Sequence, residues 1–220
     1  VRALIFDLDG TLVDTVYAHV FAWQRALGEL GLEIESWKVH RRIGMSGGLF
    51  TRAVAREIGR PLSDAESKRA QERHLEIFNE LAPVRRALPG ARELLRDLRA
   101  ARIPHAIATS GQRAAIEASL TALELAKDTV VVARGDVQRG KPEPDLFVVA
   151  AERVGVPSPE CYAVGDATWD ILAGRRAGML GVGLLSGGYG EAELAAAGAF
   201  RVYRDARELC DSLDELGIVM

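Results

Sequence analysis

Cysteine is nearly absent: Cys161 and Cys210 are the only two in 220 residues. They lack metal-ligand spacing and are too few for a disulfide framework, so reduced thiols packed in the core of a cytoplasmic protein are expected. Long apolar runs are missing as well. No window approaches the roughly 18 uninterrupted apolar residues of a membrane span. The first residues already read as a core strand, so neither a signal segment nor a membrane partner is expected. Positive charge is not in excess: the formal net charge is -3, and the arginine pairs at 41–42, 85–86 and 175–176 are scattered. That pattern excludes the electrostatic footprint of a nucleic-acid binder. No internal repeat or low-complexity segment interrupts the chain, whose length and 48% hydrophobic content allow a sizeable core.

What is present is concentrated at the start. Ala3-Leu4-Ile5-Phe6 is a short β-type apolar run of the sort buried in a parallel sheet, and it leads into Asp7-Leu8-Asp9-Gly10-Thr11. Residues two apart point to the same side while extended geometry persists, so Asp7 and Asp9 can both face a crevice at the strand's carboxyl end. Open α/β sheets bind ligands there. Paired acids repel unless something positive lies between them, and hard oxygen ligands with room for water suit Mg²⁺. An Asp-Gly turn alone would be common. An apolar strand that delivers Asp-Leu-Asp-Gly-Thr is a sharper signal.

After Thr15 the hydrophobic period changes. Val16, Val20, Trp23, Leu27 and Leu30 form one stripe of a helix ending near Gly31. Further helices are expected over 36–43, 49–58 and 63–81. The last opens on the capping-box pattern Ser63-Asp64-Ala65-Glu66 and carries Leu75, Phe78 and Leu81 in register. Gly44 to Gly48 reads as a loop. From Pro89 the pattern alternates: helices are expected around Leu94–Leu98, Ile116–Leu123, 144–154, 169–177, 191–197 and 206–216, and strands over 105–108, 129–132, 161–164, 180–184 and 200–203. Such alternation predicts an α/β fold, a Rossmann-like doubly wound parallel sheet with right-handed crossovers. The expected domains are a core of residues 1–14 and 83–220 and an inserted helical cap, 15–82, over the site.

Polar residues recur at the carboxyl ends of the expected strands: Asp7 and Asp9, then Thr109, Ser110 and Gly111, then Asp166. Gly140-Lys141-Pro142-Glu143-Pro144 precedes a helix, and its prolines favour a turn that fixes the direction of Lys141. Read singly, Thr109 is a strand-end hydroxyl and Lys141 a solvated loop charge. Together they form a set that would hold a phosphate.

Asp7-Leu8-Asp9-Gly10-Thr11, Thr109, Lys141 and Gly165-Asp166-Ala167-Thr168-Trp169-Asp170 appear in the order of the four motifs of haloacid dehalogenase superfamily phosphohydrolases, which the chain resembles over its whole core. That resemblance implies residue roles. Asp7 is the nucleophile that takes the phosphoryl group, and Asp9 the general acid/base. Thr109 binds the phosphoryl oxygens, with Ser110 and Gly111 beside it, and Lys141 neutralises them. Asp166 ligates Mg²⁺ with Asp7 and the backbone carbonyl of Asp9, and Asp170 supports the metal through water. His19 is either a flank of the helix stripe or a substrate contact, and Gly44 begins the most site-like segment of the cap. Gly187-Gly188-Tyr189-Gly190 lacks a nucleotide-binding pattern and reads as a turn.

The implied activity is Mg²⁺-dependent hydrolysis of a small phosphomonoester by a monomer or homodimer. The form of the last motif leans towards phosphoglycolate phosphatases. A β-phosphoglucomutase-like mutase is the main rival, and a non-catalytic phosphate-binding module a weaker one, since fold does not fix function.

Overall fold

In this computed structural model, which describes residues 2–219, β1 (Ala3–Phe6) is followed by four helices: α1 (Val16–Gly28), α2 (Ser36–His40), α3 (Gly47–Glu57) and α4 (Asp64–Leu81). The alternation then begins with α5 (Ala91–Ala100), β2 (His105–Ala108), α6 (Arg113–Ala122), β3 (Val130–Val132) and α7 (Asp145–Val154). It continues through β4 (Cys161–Gly165), α8 (Thr168–Arg176), β5 (Leu180–Leu184), α9 (Glu191–Ala197), β6 (Ala199–Tyr203) and α10 (Ala206–Asp211). The strands make one parallel sheet in the order β3-β2-β1-β4-β5-β6. This is the doubly wound α/β arrangement. Its strand order reverses between β1 and β4, which opens a crevice at their carboxyl ends.

Two-residue periodicity sorts the strand side chains between the faces. Leu4 and Phe6, with Ile107, Val164 and Val182, pack with leucines of α5 and α10. Ala3 and Ile5, with Ala106, Ala108 and Ala163, pack with Leu146, Phe147 and Ala150 of α7 and Ala173 of α8. Both faces are therefore dry, which explains why the strands are continuous apolar runs rather than alternating ones. Cys161 is buried and Cys210 half-buried, and both thiols are free. Among the described residues no helix is long and apolar enough to cross a membrane.

Helices α1–α4 have an apolar cluster of their own, in which Val16, Val20, Trp23 and Leu27 of the α1 stripe meet Val39, Phe50, Val54 and Ala70. The capping box forms as the sequence predicts: Ser63 Oγ accepts from the Glu66 N–H at 3.2 Å, and Glu66 Oε2 accepts from the Ser63 N–H at 2.9 Å. Three local expectations are corrected. Helix α3 begins at Gly47 rather than after the glycines, because only Gly44 of this group holds positive φ (+96°) and Ser46 takes the extended N-cap position. Leu81, expected on the buried stripe of α4, is half exposed at its last turn, and Ile77 and Phe78 are buried instead. The final helix ends at Asp211, and Leu213–Leu216 form a separate 3₁₀ turn that still buries Leu213 and Leu216. The apolar spacing is thus satisfied by a tighter turn.

Candidate active site

The strand-end acids are placed by backbone pairing. The Asp7 N–H donates to the Val164 carbonyl at 2.8 Å, extending the β1–β4 ladder into the first motif and setting Asp7 beside the end of β4. Gly10 then turns the chain with φ +86°; a Cβ there would stand 2.5 Å from Asp166 Oδ2, so both the turn and the close approach require glycine. Thr11 Oγ1 donates to Asp166 Oδ1 at 2.8 Å. Asp170 lies in the first turn of α8, whose N-cap residue is Ala167, and its Oδ2 accepts from the Ala167 N–H at 3.0 Å.

Lys141 sits at the centre of these acids. Its side chain is completely buried and donates to Asp7 Oδ1, and its Nζ lies 2.9 Å from Asp170 Oδ1. Carboxylate oxygens of Asp7, Asp166 and Asp170 come within 4.8 Å of one another. Three buried acids share one cation. Burial drives the Asp7 carboxyl up to about 7, against the pull of Lys141 and with the charges of Asp170 and Asp9 adding to the rise. Asp166 is raised well above the carboxylate range by burial first, then by Asp170 and Asp7. Burial lowers the affinity of Lys141 for its proton, yet Asp170 and Asp7 outweigh this and hold the ammonium charged. A divalent cation fits this surplus of hard oxygen donors, and no histidine belongs to the cluster among the described residues.

Asp9 faces the other way from the cluster. Its Oδ1 accepts from Thr15 Oγ1 at 2.6 Å and lies 3.5 Å from His19 Nε2. Burial favours its protonated form, but the hydrogen bond and charge of His19, then Thr15 and Lys141, together hold this carboxyl below its ordinary value. Asp7 and Asp9 open into a cavity of about 670 Å³ between the sheet edge and helices α1, α3 and α4. Thr109, Ser110, Gly111, His19 and Gly44 all line it. Thr109 Oγ1 accepts from the Gly111 N–H at 3.0 Å, and Ser110 Oγ donates to the Gly44 carbonyl at 2.9 Å, tying the end of β2 to the helical segment. Lys141, Asp166 and Asp170 stand behind Asp7 rather than on the cavity wall.

His74 was not singled out in the sequence. One nitrogen of its ring is 3.0 Å from His19 Nδ1, and it stacks on Trp23 with ring centroids 4.0 Å apart. Burial, then the facing His19, pushes the His74 imidazole well below its usual range. Phe78 stacks on His19 at 3.8 Å and carries the Arg85 guanidinium over its ring at 4.1 Å. The only sequence signal was that His74 and Phe78 stand four residues apart on one helix face.

With this geometry in place, the comparisons with known proteins are direct: the model of the haloacid dehalogenase-like hydrolase family matches residues 1–178. The chain belongs to that family. It is an enzyme, and its named relatives are phosphatases. Hexitol phosphatase A of Escherichia coli is 34% identical over 179 residues, covering 80% of each chain. A phosphoglycolate phosphatase of Rhodospirillum rubrum is 32% identical over 220 residues, covering 96% of this chain and 90% of its own. The crystal structure of a hydrolase from Pseudomonas syringae superposes with a TM-score of 0.96 at 46% identity, covering 98% of this chain and 99% of the other. In this haloacid dehalogenase-like hydrolase the first motif thus joins the buried cluster through Asp7 and lines the cavity with Asp7 and Asp9.

Proposed function

We propose that this chain is a Mg²⁺-dependent phosphatase of a small phosphomonoester, working through an aspartyl phosphate on Asp7. The substrate belongs among small carbon-chain phosphomonoesters, the broad class that includes the hexitol phosphate and phosphoglycolate for which its relatives are named. The observation that carries the reading is the position of Asp7: its carboxylate opens to the cavity in front while Lys141, Asp166 and Asp170 crowd it from behind. Helices α1–α4, residues 15–82, act as the cap that closes the site and selects the substrate. A cytoplasmic location accords with two free thiols.

Asp7 attacks phosphorus in line and expels the alcohol, splitting one hydrolysis into two easier steps. Asp7, Asp166 and the backbone carbonyl of Asp9 would hold Mg²⁺, with Asp170 behind them; bound there, the ion neutralises charge on the phosphoryl oxygens and on Asp7. Lys141 cancels further negative charge at the nucleophile. Thr109, Ser110 and the Gly111 N–H orient the phosphoryl group. Asp9 is anionic in the free site, ready to take a proton from water in the second step. To donate to the leaving alcohol in the first, its pKa must rise, and an incoming phosphate dianion beside it acts in that direction.

The test is Mg²⁺-dependent release of phosphate from p-nitrophenyl phosphate, followed by rapid acid quench with labelled substrate to trap phosphate on Asp7. An inert, correctly folded protein would point instead to a binding module. Conversion of β-glucose 1-phosphate into glucose 6-phosphate without phosphate release would make it a mutase.

A further inference from the structure

The cavity wall is electrically lopsided. Asp7 and Asp9 at the phosphate end are its only carboxylates among the described lining residues, whereas Arg42, Arg52 and Arg134 all line it. Arg42 is neutralised by Glu57 at 2.9 Å. Arg134 donates to two backbone carbonyls, Val137 at 2.7 Å and Gln138 at 3.0 Å, which fix its guanidinium but leave its charge uncompensated. Arg52 on α3 is exposed and has no hydrogen-bond or ion-pair partner among the described residues. It follows Gly48 by four residues, so both stand on one face of α3, and both line the cavity. Elsewhere in residues 15–82, Arg25, Arg41, Arg42, Arg60 and Arg73 are each matched by a glutamate, and Arg56 and Arg69, which are not so matched among the described residues, do not line this cavity.

A two-carbon ester would leave most of a 670 Å³ cavity filled with water. A neutral polyol tail would pack against guanidinium groups without offering them a charge, a poor exchange for their hydration. An anionic tail gains charge-assisted hydrogen bonds from both. We propose that the physiological substrate carries a second anionic group, a carboxylate or a second phosphate, at the end remote from its phosphoester, and that Arg52 and Arg134 receive it. This rests on the phosphatase reading above and narrows its substrate class. Arg52 comes from the helical segment and Arg134 from the loop after β3, so such a tail also bridges the two parts of the molecule.

Matched substrates isolate the second charge. 6-Phosphogluconate and sorbitol 6-phosphate share six carbons and one phosphoester and differ in a carboxylate at the far end; fructose 1,6-bisphosphate and fructose 1-phosphate make the same comparison for a phosphate. Wild-type enzyme should favour the doubly anionic member of at least one pair in kcat/KM by about tenfold or more. Arg52→Gln should reduce that ratio by about tenfold, mainly through KM, and Arg52→Lys should restore part of it. A preference in one pair alone tells carboxylate from phosphate. Equal kcat/KM within both pairs, or a ratio unmoved by Arg52→Gln, overturns the proposal, as does turnover of p-nitrophenyl phosphate with none of the four esters hydrolysed. Loss of p-nitrophenyl phosphate turnover in the wild type would instead strike the phosphatase reading itself. Arg52 is exposed and unpartnered, so its variants should melt with the wild type.

Discussion

On the sheet side of the cavity, Asp7, Lys141, Asp166 and Asp170 are buried together, and the charges of Lys141 and Asp170 both act on Asp7. On the helical side, Trp23, His74, Phe78 and the amide of Gln71 are among the wall residues, and aromatic rings meet by stacking. The sheet side should tolerate little change, because every charge there is desolvated and three acids depend on a single cation. The helical side is held by shape and contact area, which other residues of similar size can supply. The facing walls are therefore held together by different physics. Asp9 belongs to both: it leaves the strand motif but is held by Thr15 and His19 from the start of the helical segment.

The largest expected effect breaks the sheet side alone. Asp7→Asn should lower turnover by about a thousandfold or more while the protein remains folded. Lys141 keeps Asp170 at 2.9 Å in that variant, and a carboxyl raised by burial to about 7 is replaced by a neutral group of the same shape. Steady-state turnover and thermal melting read the two halves of the claim. A variant retaining a tenth of wild-type turnover would remove Asp7 from the nucleophile's role.

Next in size is the metal requirement. Asp166 accepts a hydrogen bond from Thr11, whereas Asp170 is committed to Lys141 and the Ala167 N–H. Asp166→Ala should therefore raise the Mg²⁺ concentration needed for half-maximal activity more than Asp170→Ala does, and Asp170→Ala should cost more thermal stability by removing one of the two carboxylates that pair with buried Lys141. Titrations of activity with Mg²⁺ after EDTA treatment make the ranking. Equal shifts would mean that the two acids share the ion.

The contrast between the walls also explains what could be read from the sequence. Asp7, Thr109 and Asp166 were legible because strand ends in a parallel sheet converge by topology, whatever the side chains do. Lys141 was legible as a fixed cation, but not its complete burial between Asp7 and Asp170, which depends on how α7 and α8 pack. The pairing of His19 with His74 was hidden because it joins residues 55 apart on two helices whose relative rotation no local spacing encodes. Arg52 was silent for the opposite reason: an exposed arginine on a helix is ordinary until the cavity it lines is seen.

A smaller effect follows from the charge imbalance of the sheet side. The folded-state pKa of Asp7, about 7, lies above its ordinary 3.8. The metal-free folded state therefore binds that proton more tightly than the unfolded chain, and stability drains away as pH rises through this window. In EDTA-treated protein, the Tm of the wild type relative to Asp7→Asn should fall between about pH 4 and about pH 7. Added Mg²⁺ should raise the wild-type Tm more at about pH 7.5 than at about pH 5, where protons already relieve the repulsion. A flat difference across the range would mean that Lys141 alone balances the cluster.

The smallest effect tests whether the two walls are thermodynamically one. Ser63 caps α4 at the exposed surface, and Ser63→Ala removes the hydroxyl that accepts from the Glu66 N–H. The loss should be about 1 kcal/mol. In a chain of this size that is about 2–4 °C in Tm if the whole molecule melts cooperatively. Helix α4 carries His74 and Phe78, which meet His19, and the loop between α2 and α3 is tied to Ser110, so cooperative melting is the expected result: one transition, displaced as a unit. Calorimetry distinguishes this from the alternative, an early transition of the helical segment that moves alone while the sheet's transition stays fixed. In that case the walls would be separate folding units, and the stacked rings beside Asp9 would close over the site without stabilising it.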